Sequence, residues 1–362
     1  MRNEANSPIK ISEHLNKWLE CIRSLDYPQA IQQKEIIDTL LEKIDVDARL
    51  IAYYNLVDYK HRLAIEHQML DEENIDQPSP TDRALLFLYY DYLGQVAFNQ
   101  RRYVKAIEYY ALAENYLTTE CELEKAEFYK RLGTSYYRIN QNVFALSFIR
   151  DANKIFSRNA NYKELELNCY VLIGGIYDDL GHYEKAQETY KIALEESEKY
   201  PLTKALILRA LGTSKFKEQN FIKSKEYFEE TLAITLSDLL IAAKTSIDLA
   251  HNMLIIESDL QRAKALLDEA ELFTREQNDV EYSCRASIIR SLYVTGQLND
   301  IEWSLKQLEK ANLFAEAGEV SIELSNYFRV NGQLDQALIF LDRSEHYKVQ
   351  SNLLLIEEEE IS

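Results

Sequence analysis

"FLYYDYLGQVAFNQRRYVKAIEYYALAE", residues 87–114, decides how this chain folds. Gly94 of its Leu93-Gly94 pair precedes Ala106 by twelve residues, and Tyr110 and Ala113 follow at helical spacing. The arrangement returns in "EFYKRLGTSYYRINQNVFALSFIRDA" (127–152), with Leu132-Gly133, Tyr136, Ala145 and Ala152. It returns again in "CYVLIGGIYDDLGHYEKAQETYKIAL" (169–194), with Ile173-Gly174, Tyr177, Ala186, Tyr190 and Ala193. In "LRALGTSKFKEQNFIKSKEYFEETL" (208–232), Leu211-Gly212 is followed by Ser224 at the small-residue position and by Phe228. Weaker copies surround Ala263/Ala270, Ser304/Ala311 and Ala337/Leu341. Small residues let two antiparallel helices approach closely, while large apolar ones lock successive pairs together.

That logic is the one of the tetratricopeptide repeat, which the pattern resembles. Gly94, Gly133, Gly174 and Gly212 are 39, 41 and 38 residues apart, longer than the usual ~34, so the helices or their loops are extended. Seven helix pairs are expected, the later ones degenerate, with a final helix near 334–356 capping the stack. The tail "IEEEEIS" reads as a solvated acidic end.

Bulk composition agrees. Only 9 Gly and 5 Pro punctuate 362 residues, too few for a protein of many short strands. Asp and Glu number 60 against 41 Lys and Arg, a net charge of -19 that repels nucleic acid and anionic membranes. No apolar run approaches the length of a membrane span, and the start "MRNEANSPIKIS" has no signal-peptide core, so a cytoplasmic protein is expected. Cys21, Cys121, Cys169 and Cys284 are scattered, which favours reduced, mostly buried thiols over a disulfide framework or zinc site.

The first 75 residues do not fit the repeat. Ile11, Leu15, Trp18, Leu19 and Ile22 share one helical face; Ile31, Ile37, Leu40, Leu41 and Ile44 mark a second helix after Pro28. A third, from about Asp47 to Leu70, carries Leu50, Tyr54, Val57 and Leu63. "DEENIDQPSPTD" (71–82) reads as a linker. The expected fold is therefore all-α: a three-helix bundle over 1–70, a linker over 71–82, and a right-handed solenoid of about seven helix pairs over 83–362.

Motifs for chemistry are missing. Neither G-x-x-x-x-G-K-[ST] nor G-x-G-x-x-G occurs, so no nucleotide cofactor is expected. His61, Glu66 and His67 in "HRLAIEH" match no zinc-helix spacing, so no metal is expected and ordinary packing histidines are the default. Nor does any segment gather a nucleophile, a base and an orienting group.

"LIAYYNLVDYKHRL" (50–63) closing the bundle, then "YYDYLGQVAFNQRRYVKAIEYYALAE" (89–114), "EKAEFYKRLGTSYYRINQN" (124–142) and "YDDLGHYEKA" (177–186), resembles the Rap proteins of spore-forming bacilli. The resemblance spans nearly the whole chain and is strongest over 15–195. It implies a regulator of two-component or phosphorelay signalling, in sporulation or competence. The bundle would bind a response regulator, and a short secreted and re-imported Phr peptide would bind in the repeat groove and switch the protein off. Some family members hasten loss of a receiver's aspartyl phosphate; others block DNA binding by a competence regulator.

The resemblance also assigns residues. Phosphatase members carry a water-positioning glutamine before the third helix, in a pattern like E-E-D-Q. Alignment from "NKW" to "YYNL" sets Asp45-Val46-Asp47-Ala48 there, with Ala48 at the glutamine position. Alanine cannot orient water, and losing such a group costs on the order of 10²-fold in rate. A sequestering regulator is the resulting expectation, with Asp45, Asp47, Ala48 and Tyr59 at the regulator-binding surface and with Asp47→Lys altering partner binding more than stability. The bland alternative makes 45–48 an acidic helix start favoured by the dipole. For the peptide, the family's "N-Y-D-D" block becomes Ile176-Tyr177-Asp178-Asp179, and its "N-I-G-N" block becomes Ala210-Leu211-Gly212-Thr213. Asp178, Asp179, Thr213, Ala210 and Ile176 are thus the candidate peptide contacts, with lost amides weakening any usual peptide; helix-surface aspartates solvated in a groove are the plainer alternative. Three other functions stay open at this level. An active aspartyl-phosphate phosphatase and a generic repeat scaffold are two. The third, a peptide-controlled transcription factor, is disfavoured by 9 Lys/Arg against 14 Asp/Glu in residues 1–75.

Overall fold

The computed structural model describes residues 8–43, 46–66, 68, 75–117, 122–235 and 238–353. Among them are seventeen α-helices and no strand. Three precede the repeats: α1 (Pro8–Arg23), α2 (Tyr27–Leu41) and α3 (Ala48–Ala64). Fourteen then pair in order. They are α4 (Arg83–Asn99) with α5 (Tyr103–Glu114), α6 (Glu122–Arg138) with α7 (Asn142–Phe156), α8 (Lys163–Asp179) with α9 (Tyr183–Glu195), and α10 (Pro201–Lys217) with α11 (Phe221–Ile234). The last three pairs are α12 (Leu239–Ile255) with α13 (Leu260–Glu276), α14 (Val280–Arg290) with α15 (Asn299–Lys310), and α16 (Phe314–Val330) with α17 (Leu334–Leu353). The seven pairs match the expectation, degenerate copies included, and the helix expected near 334–356 is α17, the second of the last pair.

The turn inside each pair explains why the faint copies fold like the clear ones. Arg101, Asn140, Gly181, Gln219, Glu257, Gly296 and Gly332 all have φ between 51° and 75°. At five of the seven, the next residue's N–H reaches back five positions, as from Arg102 to Ala97 O and from Gln333 to Phe328 O, both within 2.9 Å; at the end of α14 the Gly296 N–H itself reaches back to Ser291 O. This is the Schellman ending, which satisfies carbonyls that a helix terminus leaves orphaned. Three glycines take the left-handed position without strain; the other four residues adopt it at a cost of about 1 kcal/mol each.

Helix contact within a pair rests on the glycines. A Cβ on Gly94 would stand 2.5 Å from the Tyr110 ring, one on Gly212 2.5 Å from Phe228, and one on Gly174 closer still to Tyr190. Each ring lies sixteen residues after its glycine and is almost wholly buried. Ala106, Ala113, Ala145, Ala152, Ala186 and Ala193 fill the facing positions with no exposed surface. At Ser224 the hydroxyl donates to Gly212 O (2.8 Å), so the small polar residue closes the gap by bonding the facing backbone.

The helices fall into two compact units, residues 1–136 with 147–165, and residues 137–146 with 166–362. In the first, Ile11, Leu15, Trp18 and Ile22 of α1 pack on Ala30 and Ile37 of α2 and Val57 of α3. Ile31 is not in this core as its spacing suggested; it is 43% exposed, and Ala30 and Gln33 face inward in its place. Ile44 lies outside the described residues. A second cluster joins Leu56 of α3 to Leu85, Tyr92 and Val96 of α4, and includes Ile75. The described part of the expected linker is thus packed through Ile75.

Gly174→Ala is expected to lower unfolding stability by about 1–3 kcal/mol, the cost of overpacking against a ring that cannot retreat. At Gly318 a Cβ meets nothing nearer than 3.6 Å, so Gly318→Ala is expected to be neutral or to stabilise by up to about 1 kcal/mol through helix propensity. Urea unfolding of both variants checks this, and equal effects would contradict it.

Candidate functional site

The start of α3 is a capped helix end. Asp47 is the N-cap, in extended conformation (φ -72°, ψ 162°), and its Oδ1 accepts from Leu50 N at 2.8 Å. Removing such a cap costs about 0.5–2 kcal/mol, so Asp47→Lys would disturb stability as well as any partner, contrary to the sequence expectation. Ala48 is exposed at the first helical position. Arg49 turns away to pair with Asp82 (2.5 Å), itself the cap of α4 through Leu85 N. Position 48 therefore offers only a methyl, Asp47 spends one carboxylate oxygen on the cap, and Arg49 is paired with Asp82. Asp45 lies outside the described residues. Tyr59 is not on this surface; it stacks on Tyr92 (ring centroids 5.6 Å) and is half-buried between α3 and α4.

His61 is a core histidine. Its Nδ1 accepts from Trp18 Nε1 at 3.0 Å, and its Nε2 lies 3.7 Å from Glu66. Burial, reinforced by Lys34, holds its pKa below the ordinary value, so it stays neutral as the acceptor Trp18 needs. His67 lies outside the described residues.

Beneath the bundle the first unit buries a charge cluster that the sequence did not advertise. Arg23 of α1 pairs with Glu124 and, at 3.5 Å, with Glu127 of α6; Lys60 of α3 lies 3.7 Å from Glu127. Arg131 of α6 grips Asp91 of α4 through two bonds of 2.9 and 3.0 Å. Lys60 Nζ, Arg23 Nε and Glu127 Oε2 are buried without a hydrogen bond. Desolvation pulls the Lys60 ammonium down to about 8, despite the opposing attraction of Glu127. Buried charges so imperfectly paired add little net stability.

In the second unit, the expected peptide contacts separate into two groups. Asp178 is only 5% exposed, and its oxygens accept from Ser214 Oγ (2.7 Å) and Tyr190 Oη (3.0 Å); burial nonetheless pushes its carboxyl up to about 6. It ties α8 to α9 and α10 from a buried position. Ile176 is fully buried, and Ala210 packs in the core shared by α8–α10. Asp179, one residue on, points elsewhere, to Lys217 at 2.5 Å and to the Tyr137 hydroxyl. Thr213 is half-buried and donates to Arg209 O (3.1 Å).

Asp179 belongs to a row of charged side chains on the even-numbered helices. Arg209 of α10 bonds Asp248 of α12 (2.6 Å) and the Tyr282 hydroxyl of α14. Arg285 of α14 lies 3.5 Å from Asp248 and 2.9 Å from Glu323 of α16, and Lys244 of α12 lies 2.9 Å from Asp279. Arg138, at the end of α6, bonds both Glu281 of α14 (3.1 Å) and Glu316 of α16 (2.6 Å). The odd-numbered helices contribute none of these groups. The row is a polar, partly accessible wall suited to a backbone-rich ligand with charged ends or side chains.

Comparison with known proteins fits this geometry to a family. The family model described as response regulator aspartate phosphatase H, N terminal, matches residues 5–66. Regulatory protein RapF of Bacillus subtilis (strain 168) is 25% identical over 375 residues, 97% of this chain and 98% of that protein. This chain belongs to the Rap family. A Rap protein crystallised with competence and sporulation factor shares its fold, with a TM-score of 0.84 at 23% identity, covering 95% of this chain and 99% of that one. A Rhodococcus hoagii protein named Type II methyltransferase M.CeqI is 30% identical over 98% of this chain and 70% of its own length. Part of that protein lies outside the match, and its name describes it alone.

Within this Rap-family chain, Asp179 of the residues the local blocks singled out joins the polar row, whereas Asp178, Ile176 and Ala210 are packed. Asp179 was legible; the Arg23–Lys60–Glu127 cluster and the Arg138 pairs carry no local signal, since their partners are 67 to 178 residues apart by number.

Lys60 provides a pH test. Above about pH 8 the folded state has released a proton that the unfolded chain keeps until about 10.4, so stability rises with pH across that window and the penalty stands in full below it. Relative to Lys60→Met, the wild type is expected to gain about 2 kcal/mol between pH 8 and 10. Parallel stability curves for the two proteins, from urea unfolding at each pH, would contradict it.

Proposed function

We propose that this chain is a Rap-type regulator of two-component or phosphorelay signalling. It binds a response regulator through the α1–α3 bundle and a short signalling peptide along the even-numbered helices of the second unit, with the peptide switching it off. Membership in a family whose relatives match it end to end supports the first part. The binding of competence and sporulation factor by a protein of the same fold supports the second. Asp179 and Thr213 are the surviving peptide contacts from the sequence reading; Asp178, Ile176 and Ala210 act behind them. In this reading the protein acts in the cytoplasm, where response regulators are met; among the described residues no helix is long and apolar enough to cross a membrane.

The carrying observation for mechanism is the exposed methyl of Ala48 between a committed Asp47 and a paired Arg49. A receiver's aspartyl phosphate is hydrolysed by in-line attack of water, and a protein that hastens this must hold that water. Asp47 is a poor substitute, because an anionic carboxylate would approach an already negative phosphoryl group. The regulator is therefore held and not dephosphorylated.

The test mixes the chain with the host's response-regulator receivers phosphorylated by acetyl phosphate, following co-elution and phosphate decay. Wild type should co-elute with one of them and leave its decay rate unchanged; Ala48→Gln should speed decay about 10-fold or more. Accelerated decay by the wild type would establish an active phosphatase instead. Absence of any co-eluting receiver would leave the bundle without its proposed partner.

A further inference from the structure

Helix α2 offers little to the core of the bundle. Its buried residues are Ala30, Gln33 and Ile37, a methyl, an amide and one large apolar side chain. Apolar contact is non-directional, so this strip holds α2 against its neighbours without fixing its rotation. Direction comes from polar groups. Gln33 Oε1 meets His14 Nδ1 of α1 at 2.8 Å, and Tyr54 Oη of α3 donates to Asp38 Oδ1 of α2 at 2.6 Å. Between them stands Lys34 of α2. Its ammonium pairs with Asp58 of α3, and it lies 5.3 Å from the centre of the Trp18 ring and 5.7 Å from that of Tyr54. One cation thus engages all three helices: α2 carries it, α1 offers an indole face, and α3 offers a carboxylate and a phenol face.

Lys34 is not what keeps its partners satisfied. Asp58 is buried, and Arg62, one turn further along α3, bonds its other oxygen at 2.6 Å. Trp18 keeps its own bond to His61 Nδ1 at 3.0 Å. Removing the ammonium therefore strands no buried charge, and the large cost of an orphaned ion does not arise. What goes is direction, because a cation held over two ring faces and opposite a carboxylate has one position that serves all of them. Lys34 lies two turns before the end of α2, and Tyr54 and Asp58 lie within the first three turns of α3. The groups they lock lead straight to the Asp47 cap and the exposed Ala48.

We propose that Lys34 is the positioning residue of the regulator-binding face: it fixes the rotation of α2 against α1 and α3, and through it the way the first turn of α3 is presented. The inference rests on the reading of the bundle as the regulator-binding unit and adds the residue that sets its geometry. Without the clamp, apparent affinity falls by the fraction of molecules that keep the competent arrangement. Unfolding, which the apolar core resists, changes little.

The test uses the host's response-regulator receivers, fluorescein-labelled and activated with beryllofluoride, and follows their binding by anisotropy. Wild type is compared with Lys34→Met, Lys34→Arg and Ile22→Val, with thermal unfolding and amide exchange at Leu50 and Ile51 recorded for each. Lys34→Met should weaken binding about 5-fold or more and speed exchange at both amides, while unfolding close to wild type. Lys34→Arg should bind within about 2-fold of wild type, since a guanidinium also stacks on rings and pairs with a carboxylate. Ile22→Val, in the last turn of α1 and away from the α2–α3 junction, should lower the unfolding temperature and leave affinity unchanged. Affinity and exchange in Lys34→Met equal to wild type would overturn the clamp. So would an affinity loss in Ile22→Val as large as in Lys34→Met, which would make stability and not position the cause. If wild type binds no receiver, the bundle reading fails, and exchange at Leu50 and Ile51 in Lys34→Met still decides the clamp: faster supports it, unchanged overturns it.

Discussion

The contact between a helical glycine and an aromatic ring sixteen residues later sets the spacing on which the rest of this structure depends. At Gly94, Gly174 and Gly212 the ring of Tyr110, Tyr190 or Phe228 occupies the volume that a side chain would need. The two helices of a pair are thereby drawn to near backbone contact, and the alanines opposite complete a dry seam. In the second unit, the first helices of successive pairs carry the row of charged side chains. The third pair shows how the constraint reaches function. Tyr190 both fills the Gly174 gap and donates to Asp178, so Asp178 is fixed as a beam and Asp179 is left as the residue the wall presents.

Electrostatics then divide the labour. Apolar burial carries stability, and the charges within the folded units are spent on polar surfaces that are only partly satisfied. Under the bundle the Arg23–Lys60–Glu127 group leaves three buried polar atoms without hydrogen bonds. Along the second unit's wall, acids and bases alternate between repeats, and Glu316 keeps Arg138 as its cation while its Oε2 makes no hydrogen bond. Such groups lose little when a competing charge arrives, which is the property required of a surface that must bind and release. The net charge of -19 works against binding nucleic acid.

The repeat was legible because its physical cause is local. Glycine, small residue and ring recur at fixed offsets, and even the degenerate copies keep the left-handed turn at Glu257, Gly296 and Gly332. The bundle was legible from helical spacing, except where Ile31 and its neighbours offered two apolar faces and the core took Ala30. The site was legible by segment only. Asp178 and Asp179 differ by about 100° around the helix, and no pattern in "IYDD" says which one meets the ring of the next helix. Asp47 has the residue type of a docking carboxylate and of an N-cap, and only backbone geometry separates the two. Arg138 finds Glu281 and Glu316 by long-range packing inside the second unit, which a single sequence does not encode in any local pattern.

The central claim is a division between a bundle that holds a response regulator and a groove that takes a peptide. Hydrogen–deuterium exchange of this chain alone and with its co-eluting phosphorylated receiver tests it most directly. Slowed exchange confined to the α2–α3 junction and the first turns of α3 is the result the account predicts. Slowed exchange along α8, α10 and α16, with residues 46–57 unaffected, would contradict it.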